Sequence, residues 1–310
     1  MTALYATQPT PELPSDAEFE LLLDAFLSRY RKNTRDCYER DIRMFCGWLT
    51  EMGLHPFAIR RRTVEAYVRH MIDDRGNLAR SVNRRLIALR MFYEFAIDDD
   101  YILKNPCRNV RLAKPKLDLT KKLSLTREEF QRFMRAAYDS NATEYAMCTL
   151  MGYLGMRVTE VCELTVPDVL HYSKGHRVVQ FVGKGGDAFV LPQPPVVMRS
   201  LDALIDELGR DYKGPLFLRR DGSQMTRRSA DRVVKRLAKK AAIADMIVSP
   251  HTLRHSAIVN AISAGIPLRD VQIMARHRDI STTIRVYDRG RFDLDTHATH
   301  GLAAYLGAVG

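Results

Sequence analysis

Four successive segments in the first hundred residues repeat apolar side chains three or four positions apart, which is the spacing of an amphipathic α-helix. The segments cover about 16–30, 34–52, 63–73 and 79–97, and Gly53 marks the end of the second. Because helices joined by short links bury their apolar faces against one another, this pattern predicts a small helical bundle. Residues 1–15 contain three prolines and no apolar repeat, so we expect a flexible tail there.

A stretch without a helical pattern divides the chain. Residues 112–123 contain four lysines and one proline and are expected to form an extended linker. We therefore predict a helical domain over residues 16–111 and a second domain over residues 124–310. The chain has a net charge of +11 and a pI of about 9.5, and most of the excess lies in the second domain. This charge favours a nucleic-acid partner ahead of a membrane surface.

The second domain mixes helices with a small β-structure. Thr126 and Glu129 have the spacing of a capping box, and helical periodicity continues from there to about Leu154. Two runs rich in Val and Phe, 177–182 and 188–191, flank a Gly-Lys-Gly-Gly-Asp turn and predict a β-hairpin. Helices are expected again at about 196–208 and 227–242. The predicted fold is thus mainly α with a small antiparallel β-sheet.

Other features of the whole sequence bear on the cellular location of the protein and on its cofactors. No apolar run approaches the roughly 18 residues that span a bilayer, and the start lacks the basic and apolar pattern of a signal peptide. We expect no membrane partner and a cytoplasmic, nucleoid-associated protein. The five cysteines include no CxxC pair and predict buried free thiols in a reducing compartment. No phosphate-binding loop for ATP and no carboxylate cluster suited to magnesium stands out, so no cofactor is expected.

The segment from residue 249 places two side chains suited to phosphate at the start of a helix. Ser249 is a favoured N-cap residue, and Pro250 is favoured at the first helical position. His251 and Arg254, three residues apart, then share a helix face near the N-terminus, where free N–H groups and the helix dipole attract anions. The segment predicts a phosphate site, although a capped helix without that role has the same pattern.

Two further cations lie at breaks between secondary-structure elements. Gly155 marks a break before a helix that Arg157 begins, and a guanidinium there can hold two phosphate oxygens at once. Lys184 lies in the glycine-rich hairpin turn, from which it can approach and protonate a leaving oxygen. An ordinary surface position is the alternative for both residues.

The last segment of interest ends at Tyr287, which is one of 13 tyrosines. His277 precedes it by ten residues, and Ser281 or Thr282 is expected to cap a short helix that carries Tyr287 on its third turn. A phenol is mostly neutral at pH 7, and neighbouring cations favour the phenolate as it forms. Tyr287 is therefore a candidate nucleophile if cations surround it.

The order of these patterns is more specific than any one of them. An Arg, a Lys in a β-turn, a His-x-x-Arg and a His ten residues before a Tyr follow one another. In this the chain resembles the tyrosine recombinases, the lambda-integrase family, over about residues 16–306. The resemblance implies a helical core-binding domain in residues 16–111 and a mixed α+β catalytic domain in 124–310, which close on DNA as a clamp.

The resemblance also implies a role for each matching residue. Arg157 and Arg254 are similar to the pair that grips the scissile phosphate, and His251 resembles the general acid or base beside it. Lys184 looks like the acid that protonates the leaving 5′ oxygen. Together with the residues described next, they make up a site in which several preorganised donors can stabilise the transition state without a metal.

At the end of the pattern, His277 resembles the last activating histidine and Tyr287 resembles the nucleophile. Glu160 lies where the family often has an acidic residue that supports the site. Arg276 departs from the pattern, because the family usually has a glycine before this histidine. The turn into His277 is therefore expected to differ or to be mildly strained. The approach to Tyr287 is similar to that of actinobacterial integrases, which does not establish a host.

The helical bundle carries arginines on faces that are predicted to point outward. Contact with DNA phosphates is one interpretation of these faces, and an ordinary solvated basic surface is the other. The candidates for DNA contact are Arg35, Arg43, Arg80, Arg84 and Arg85, with Arg40 and Arg90 on the same faces.

The implied function is site-specific DNA recombination through a covalent 3′-phosphotyrosine bond, without metal or ATP. The implied partners are double-stranded DNA with paired inverted half-sites and a homo-tetramer of this chain, in which the stretch 294–306 packs in cis or on a neighbour. An integrase of a phage or other mobile element is favoured. The alternatives are a chromosome-dimer resolvase, a type IB-like topoisomerase, a non-catalytic repressor, and a metal-dependent nuclease that uses His251 and His255.

Overall fold

The computed structural model describes residues 13–114, 122–183, 186–209, 211–284 and 298–307. The chain forms two compact units, Met1–Leu117 and Asp118–Gly310, and the division lies inside the stretch 112–123. We call them the N-terminal unit and the C-terminal unit. None of the described helices has both the length and the apolar content that crossing a membrane requires.

The described part of the N-terminal unit contains the four predicted helices. They are α1 (Asp16–Ser28), α2 (Lys32–Glu51), α3 (Arg61–Arg69, continued by a π-helical turn over His70–Asp74) and α4 (Ala79–Asp98). Ser15 and Glu18 form a capping box at the start of α1, and Gly53, with a φ of +66°, lies just after α2. The core is rich in aromatic rings, among them Phe26, Phe45, Phe92 and Tyr93. Burial of these rings holds the four helices together.

The C-terminal unit begins with two helices where the sequence predicts one continuous pattern. The predicted capping box starts α5 (Arg127–Tyr138). The chain then turns at residues 139–141, and the side chain of Asn141 caps α6 (Ala142–Gly152) by accepting a hydrogen bond from the N–H of Glu144 at 2.9 Å. The prediction of one uninterrupted helix is therefore wrong. Asp, Ser and Asn occupy the turn, and these residues favour caps over helix interiors.

A three-stranded antiparallel sheet follows the short helix α7 (Val158–Glu163). Its strands pair in chain order and are β1 (His171–Ser173), β2 (His176–Val182) and β3 (Ala188–Pro192). β2 and β3 form the predicted hairpin, with Val182 paired to Ala188 next to the turn. The sequence does not predict β1, because three exposed residues show no alternation of apolar and polar side chains.

The remaining described helices surround an apolar core. They are α8 (Pro195–Leu208), α9 (Arg227–Lys240), α10 (Pro250–Ser263), α11 (Leu268–Ala275), α12 (described over residues 280–284) and α13 (Ala298–Leu306). α6 packs against α7, α8 and α10, while α11 packs against α10. This packing brings the starts of α7 and α10 close to the end of α11. The fold is mainly α with a small antiparallel sheet, as the sequence predicts.

Candidate functional site

The start of α10 has the predicted cap. Ser249 accepts a hydrogen bond from the backbone N–H of Thr252 at 3.3 Å, and Pro250 occupies the first helical position. His251 is exposed, whereas Arg254 is only 5% exposed. Of the two predicted phosphate ligands on this helix, one is therefore at the surface and the other is almost completely buried.

Arg254 connects two other segments of the C-terminal unit. Its Nη1 donates to the carbonyl oxygen of Gly155, which lies just before α7, and its Nη2 donates to that of Ala275 at the end of α11. Gly155 has a φ of +58°, a left-handed conformation that favours glycine. Arg254 thereby fixes the chain before α7 to the end of α11.

A single buried carboxylate joins two further arginines. Glu160 in α7 is 4% exposed, and its Oε1 accepts a hydrogen bond from Nη1 of Arg157 at 2.6 Å. Its Oε2 accepts from the backbone N–H of Arg157 and from Nη2 of Arg276, both at 2.8 Å. Arg157 is the N-cap residue of α7, and its side chain remains 37% exposed. Glu160 therefore orients an arginine that can still reach a ligand.

Arg276 lies where the sequence predicts a changed or strained turn. Its backbone is left-handed, with φ 54° and ψ 43°, which costs a residue other than glycine about 1–2 kcal/mol. The buried side chain offsets this cost. Besides Glu160, it donates to the carbonyl oxygens of Gly155 at 3.2 Å and Met274 at 2.9 Å, and its guanidinium lies 5.1 Å from the centre of the Phe181 ring. The expectation of strain at this turn is confirmed.

His277 follows this turn and is held from two sides. Its backbone N–H donates to the carbonyl oxygen of Gln272 in α11 at 3.2 Å. Its ring Nδ1 shares a hydrogen bond with Oγ1 of Thr283 in α12 at 2.9 Å, and Thr283 is fully buried. The imidazole therefore has a defined orientation between α11 and α12.

The cluster carries more positive than negative charge. The guanidinium groups of Arg157, Arg254 and Arg276 surround the one carboxylate of Glu160. Burial and then repulsion from Arg157 and Arg276 lower the pKa of Arg254 to about 9, so this group remains a cation at neutral pH. Burial and then the same three arginines lower the pKa of His277 to about 4, so its ring is uncharged at neutral pH. A bound anion relieves this repulsion, and the cluster is therefore suited to phosphate.

The chain after α11 enters α12 through a cap that the sequence analysis did not predict. Oδ1 of Asp279 accepts from the N–H of Ser281 at 2.8 Å, and Oδ2 accepts from its hydroxyl at 2.5 Å. The expected cap at Ser281 or Thr282 is wrong, because both residues lie inside the helix. Two predicted site residues, Lys184 and Tyr287, lie outside the described residues.

Comparison with known proteins adds a family to this geometry. The phage integrase family matches residues 124–292, and the phage integrase N-terminal SAM-like domain matches residues 23–100. The chain belongs to the phage integrase family. Its members include tyrosine recombinases, which break and rejoin DNA, and this recombinase is an enzyme of that type.

Relatives and solved structures agree with this assignment. The tyrosine recombinase XerD of Pseudomonas aeruginosa is 32% identical over 279 residues, covering 86% of this chain and 91% of the relative, and XerD of Staphylococcus haemolyticus is 30% identical over 81% of this chain and 86% of the relative. The Tn1549 transposon integrase in complex with transposon right end DNA shares the fold, with a TM-score of 0.69 at 20% identity over 93% of this chain and 99% of that chain. A lambda integrase tetramer bound to a Holliday junction has a TM-score of 0.69 at 19% identity, covering 88% of this chain and 78% of that chain.

The N-terminal unit of the recombinase uses two of its candidate DNA-contact arginines internally. Asp41 in α2 is completely buried, and both of its oxygens accept hydrogen bonds from Arg84, the Nη2–Oδ1 distance being 2.9 Å. Nε of Arg85 lies 3.7 Å from Oδ1 of the same carboxylate. The side chain of Arg85 is only 15% exposed, so the prediction that it points outward is wrong, whereas that of Arg84 is 41% exposed and stays partly at the surface. A buried carboxylate needs cationic partners, and α4 supplies both.

The other arginines of this set differ in exposure. Arg43 forms an ion pair with Glu20 at 2.9 Å while staying at the surface. Arg90 is half-buried and donates to two backbone carbonyl groups, so its predicted outward position is also wrong. Arg35 and Arg80 are exposed members of the set without a carboxylate partner among the described residues, and the charge of exposed Arg40 acts on Asp41.

Sequence reasoning missed two contacts of the site. The bond from Arg276 to Glu160 joins residues 116 positions apart, and the bond from His277 to Thr283 follows neither a helical nor a strand period. The arginine at position 276, where the family usually has a glycine, was a signal in the sequence for the first contact. No signal in the sequence pointed to Thr283. Within the described ranges, no group of three His, Cys, Asp or Glu side chains is arranged to hold a metal ion.

Proposed function

We propose that this recombinase cleaves and rejoins DNA through a covalent 3′-phosphotyrosine bond at Tyr287. The observation that supports the proposal is the cluster in which Arg157 and Arg254 lie on one hydrogen-bonded network beside a neutral His277. Such a cluster offers what a phosphoryl transfer needs, namely cations for the phosphate oxygens and an uncharged donor or acceptor of a proton.

In the proposed reaction, Arg157 and Arg254 bind the non-bridging oxygens of the scissile phosphate. The phenolic oxygen of Tyr287 attacks phosphorus, and the bond from phosphorus to the 5′ oxygen breaks. His251 accepts the phenolic proton, and Lys184 donates a proton to the leaving 5′ oxygen. The reverse attack by a 5′-hydroxyl restores the phosphodiester, and because the covalent bond conserves its energy, no ATP is required.

His277 and Glu160 support these groups. Because Thr283 holds Nδ1 of His277, we assign the other ring nitrogen to the phosphate. Glu160 keeps the Arg157 guanidinium in place through the bond at 2.6 Å. Loss of one preorganised donor costs roughly 3–4 kcal/mol in transition-state stabilisation, so several donors together supply a large part of the rate without a metal.

We further propose that the enzyme acts as a homo-tetramer on paired inverted half-sites in double-stranded DNA. The lambda integrase tetramer, which shares the fold, supports this assembly. In this chain, α13 exposes Leu302 and Leu306, which gives it an apolar surface for packing on a neighbour. In the N-terminal unit, we assign exposed Arg35 and Arg80 to contacts with DNA phosphates. Arg43, Arg84 and Arg85 are further proposed contacts. Each of these three must give up or share its ion pair with a carboxylate before it binds a phosphate.

For the biological role, we propose integration of a phage or other mobile element. A chromosome-dimer resolvase is the second candidate, which the relatives named XerD support. Amplification of a circular junction that joins the two ends of the DNA around the gene would support the integrase. Absence of that junction, together with accumulation of chromosome dimers when the gene is deleted, would support the resolvase.

The proposed chemistry is tested by Tyr287→Phe, with Tyr305→Phe as the matched control. Purified protein is incubated with a nicked suicide substrate, and covalent protein–DNA adducts are separated on a denaturing gel. We expect Tyr287→Phe to bind the DNA and to form no adduct, while Tyr305→Phe forms it. An adduct that persists in Tyr287→Phe and disappears in Tyr305→Phe would move the nucleophile to Tyr305.

A further inference from the structure

We propose that Arg276 is a positioning residue that holds the two phosphate-binding arginines together by sharing an acceptor with each of them. It shares Glu160 with Arg157 and the carbonyl group of Gly155 with Arg254. The inference rests on the function proposed above for Arg157 and Arg254. It assigns a role to the residue at which this chain departs from the glycine that the family usually has there.

Arg276 shares hydrogen-bond acceptors with both arginines. One nitrogen of Arg276, Nη2, lies 2.8 Å from Oε2 of Glu160 and 3.2 Å from the carbonyl oxygen of Gly155. The other oxygen of Glu160 holds Arg157, and the same Gly155 carbonyl accepts from Nη1 of Arg254. A single guanidinium therefore connects both arginines through hydrogen bonds that have no other bridge of this kind among the described residues.

Burial alone does not separate Arg276 from the phosphate-binding pair, because Arg254 is also only 5% exposed. The side chain of Arg276 is 2% exposed, while that of Arg157 is 37% exposed. Phe181 lies against the guanidinium on one side, with 5.1 Å between the guanidinium carbon and the ring centre. Because its guanidinium is paired with Glu160 and covered by the Phe181 ring, we assign Arg276 an effect through Glu160 and Gly155 and no direct contact with a DNA phosphate.

The backbone conformation of Arg276 also bears on its role. Arg276 has a left-handed φ of 54°, a conformation that glycine adopts without strain. Replacement by glycine is therefore compatible with the turn and removes only the side chain with its bonds. The chain has an arginine at a position where the backbone conformation favours glycine. The hydrogen bonds of the arginine side chain explain why.

The charge of Arg276 also bears on the neighbouring histidine. Burial first, and then the charges of Arg254, Arg157, Arg276 and His255, lower the pKa of His277. Removal of Arg276 raises this pKa toward its ordinary value whether or not Arg276 positions the other two arginines. Recovery of the rate by a second cation at position 276 is therefore the result that separates positioning from a purely structural role.

The test compares Arg276→Gly and Arg276→Lys with the control Arg177→Ala. Arg177 is also a buried arginine, and it pairs with Asp202 at 2.5 Å away from the cluster. We expect Arg276→Gly to lower the single-turnover rate of adduct formation by about 10- to 100-fold, because a small displacement of positioned groups can cost about 100-fold in rate. DNA affinity stays near that of the parent enzyme, and Arg276→Lys, which keeps the bond to Glu160, recovers part of the rate. Arg177→Ala lowers the melting temperature and keeps the rate of the folded protein.

Three results decide the matter. An unchanged rate in Arg276→Gly, or a loss no greater than that in Arg177→Ala at a temperature where both are folded, would overturn the inference. An Arg276→Lys variant that is folded and recovers none of the rate lost in Arg276→Gly would overturn it as well. Failure of the proposed function is a separate outcome, because it appears as an adduct in Tyr287→Phe whatever Arg276 does.

Discussion

Each unit of this recombinase buries one carboxylate between two arginines, and the two clusters do different work. In the N-terminal unit, Asp41 of α2 pairs with Arg84 and Arg85, which are adjacent residues of α4. That cluster joins α2 to α4, and all three of its residues lie inside these two helices. Its effect is therefore on the stability of the helix packing.

In the C-terminal unit, Glu160 pairs with Arg157 in its own helix turn and with Arg276 from beyond α11. A third arginine, Arg254, is bound to carbonyl groups of the same segments, so the positive charge exceeds the negative charge. An arginine–carboxylate pair by itself therefore indicates no function, since both clusters contain one, and in both one guanidinium stays partly exposed. A third arginine and an adjacent neutral histidine distinguish the second cluster, and on these we base the proposal that it binds phosphate.

After Tyr287→Phe, the largest expected effect is that of a substitution at Lys184, which follows β2 in the sequence. Lys184→Ala should slow cleavage by about 100-fold or more, because the leaving 5′ oxygen loses its acid. Lys174→Ala, in the turn between β1 and β2, is the matched control and should cleave normally. A substrate with a 5′-bridging sulfur, which leaves without protonation, should restore the rate of Lys184→Ala. A rate that the sulfur does not rescue would remove the acid role from Lys184.

The comparison of the clusters is tested directly by Glu160→Gln and Asp41→Asn. Glu160→Gln should lower the cleavage rate by about 10- to 100-fold, because Arg157 loses its anchor. Asp41→Asn should instead lower the stability of the N-terminal unit by about 2 kcal/mol, the usual size of a lost charged hydrogen bond. Trp48 is the single tryptophan and lies in α2, so its fluorescence follows unfolding of that unit. If the two variants exchanged these effects, the comparison would be wrong.

Acid should weaken the C-terminal unit more than the N-terminal unit. Burial and Arg254 lower the pKa of His277 from 6.5 to about 4, so its contribution to stability is complete above pH 6.5 and is lost as the pH falls through 4. Burial raises the pKa of Asp41, so its contribution is lost as the pH rises and not as it falls. We expect the melting temperature from circular dichroism to fall further than that from Trp48 fluorescence, and His277→Gln should remove most of this difference.

The smallest expected effect is that of metal chelation. Guanidinium groups and Lys184 supply the positive charges that the proposed reaction needs, and imidazoles supply its uncharged proton donors and acceptors, so excess EDTA should leave the rate of adduct formation unchanged. Adduct formation is measured with and without EDTA, and added magnesium serves as the control. Loss of cleavage in EDTA that magnesium restores would contradict the proposed mechanism.

The elements predicted well are those whose signals are local. The four N-terminal helices, the capping box of Thr126 and Glu129 and the helix start at Ser249 each depend on residues within about four positions. The missed features are also instructive. Asp279 took the cap expected at Ser281, because several residues nearby can cap, and the exposed strand β1 had no alternating pattern to show.

The order of the proposed catalytic residues, the family and the positions of most helices could all be predicted from the sequence alone. Lys184 and Tyr287 rest on that order alone and stay predictions. Only the folded chain shows that Arg276 reaches Glu160, that Arg254 reaches Gly155 and that Asp41 pairs with two of the expected DNA-contact arginines. Helix caps are satisfied by near neighbours in the chain, whereas a buried charge must pair with whatever the packing of distant segments brings to it.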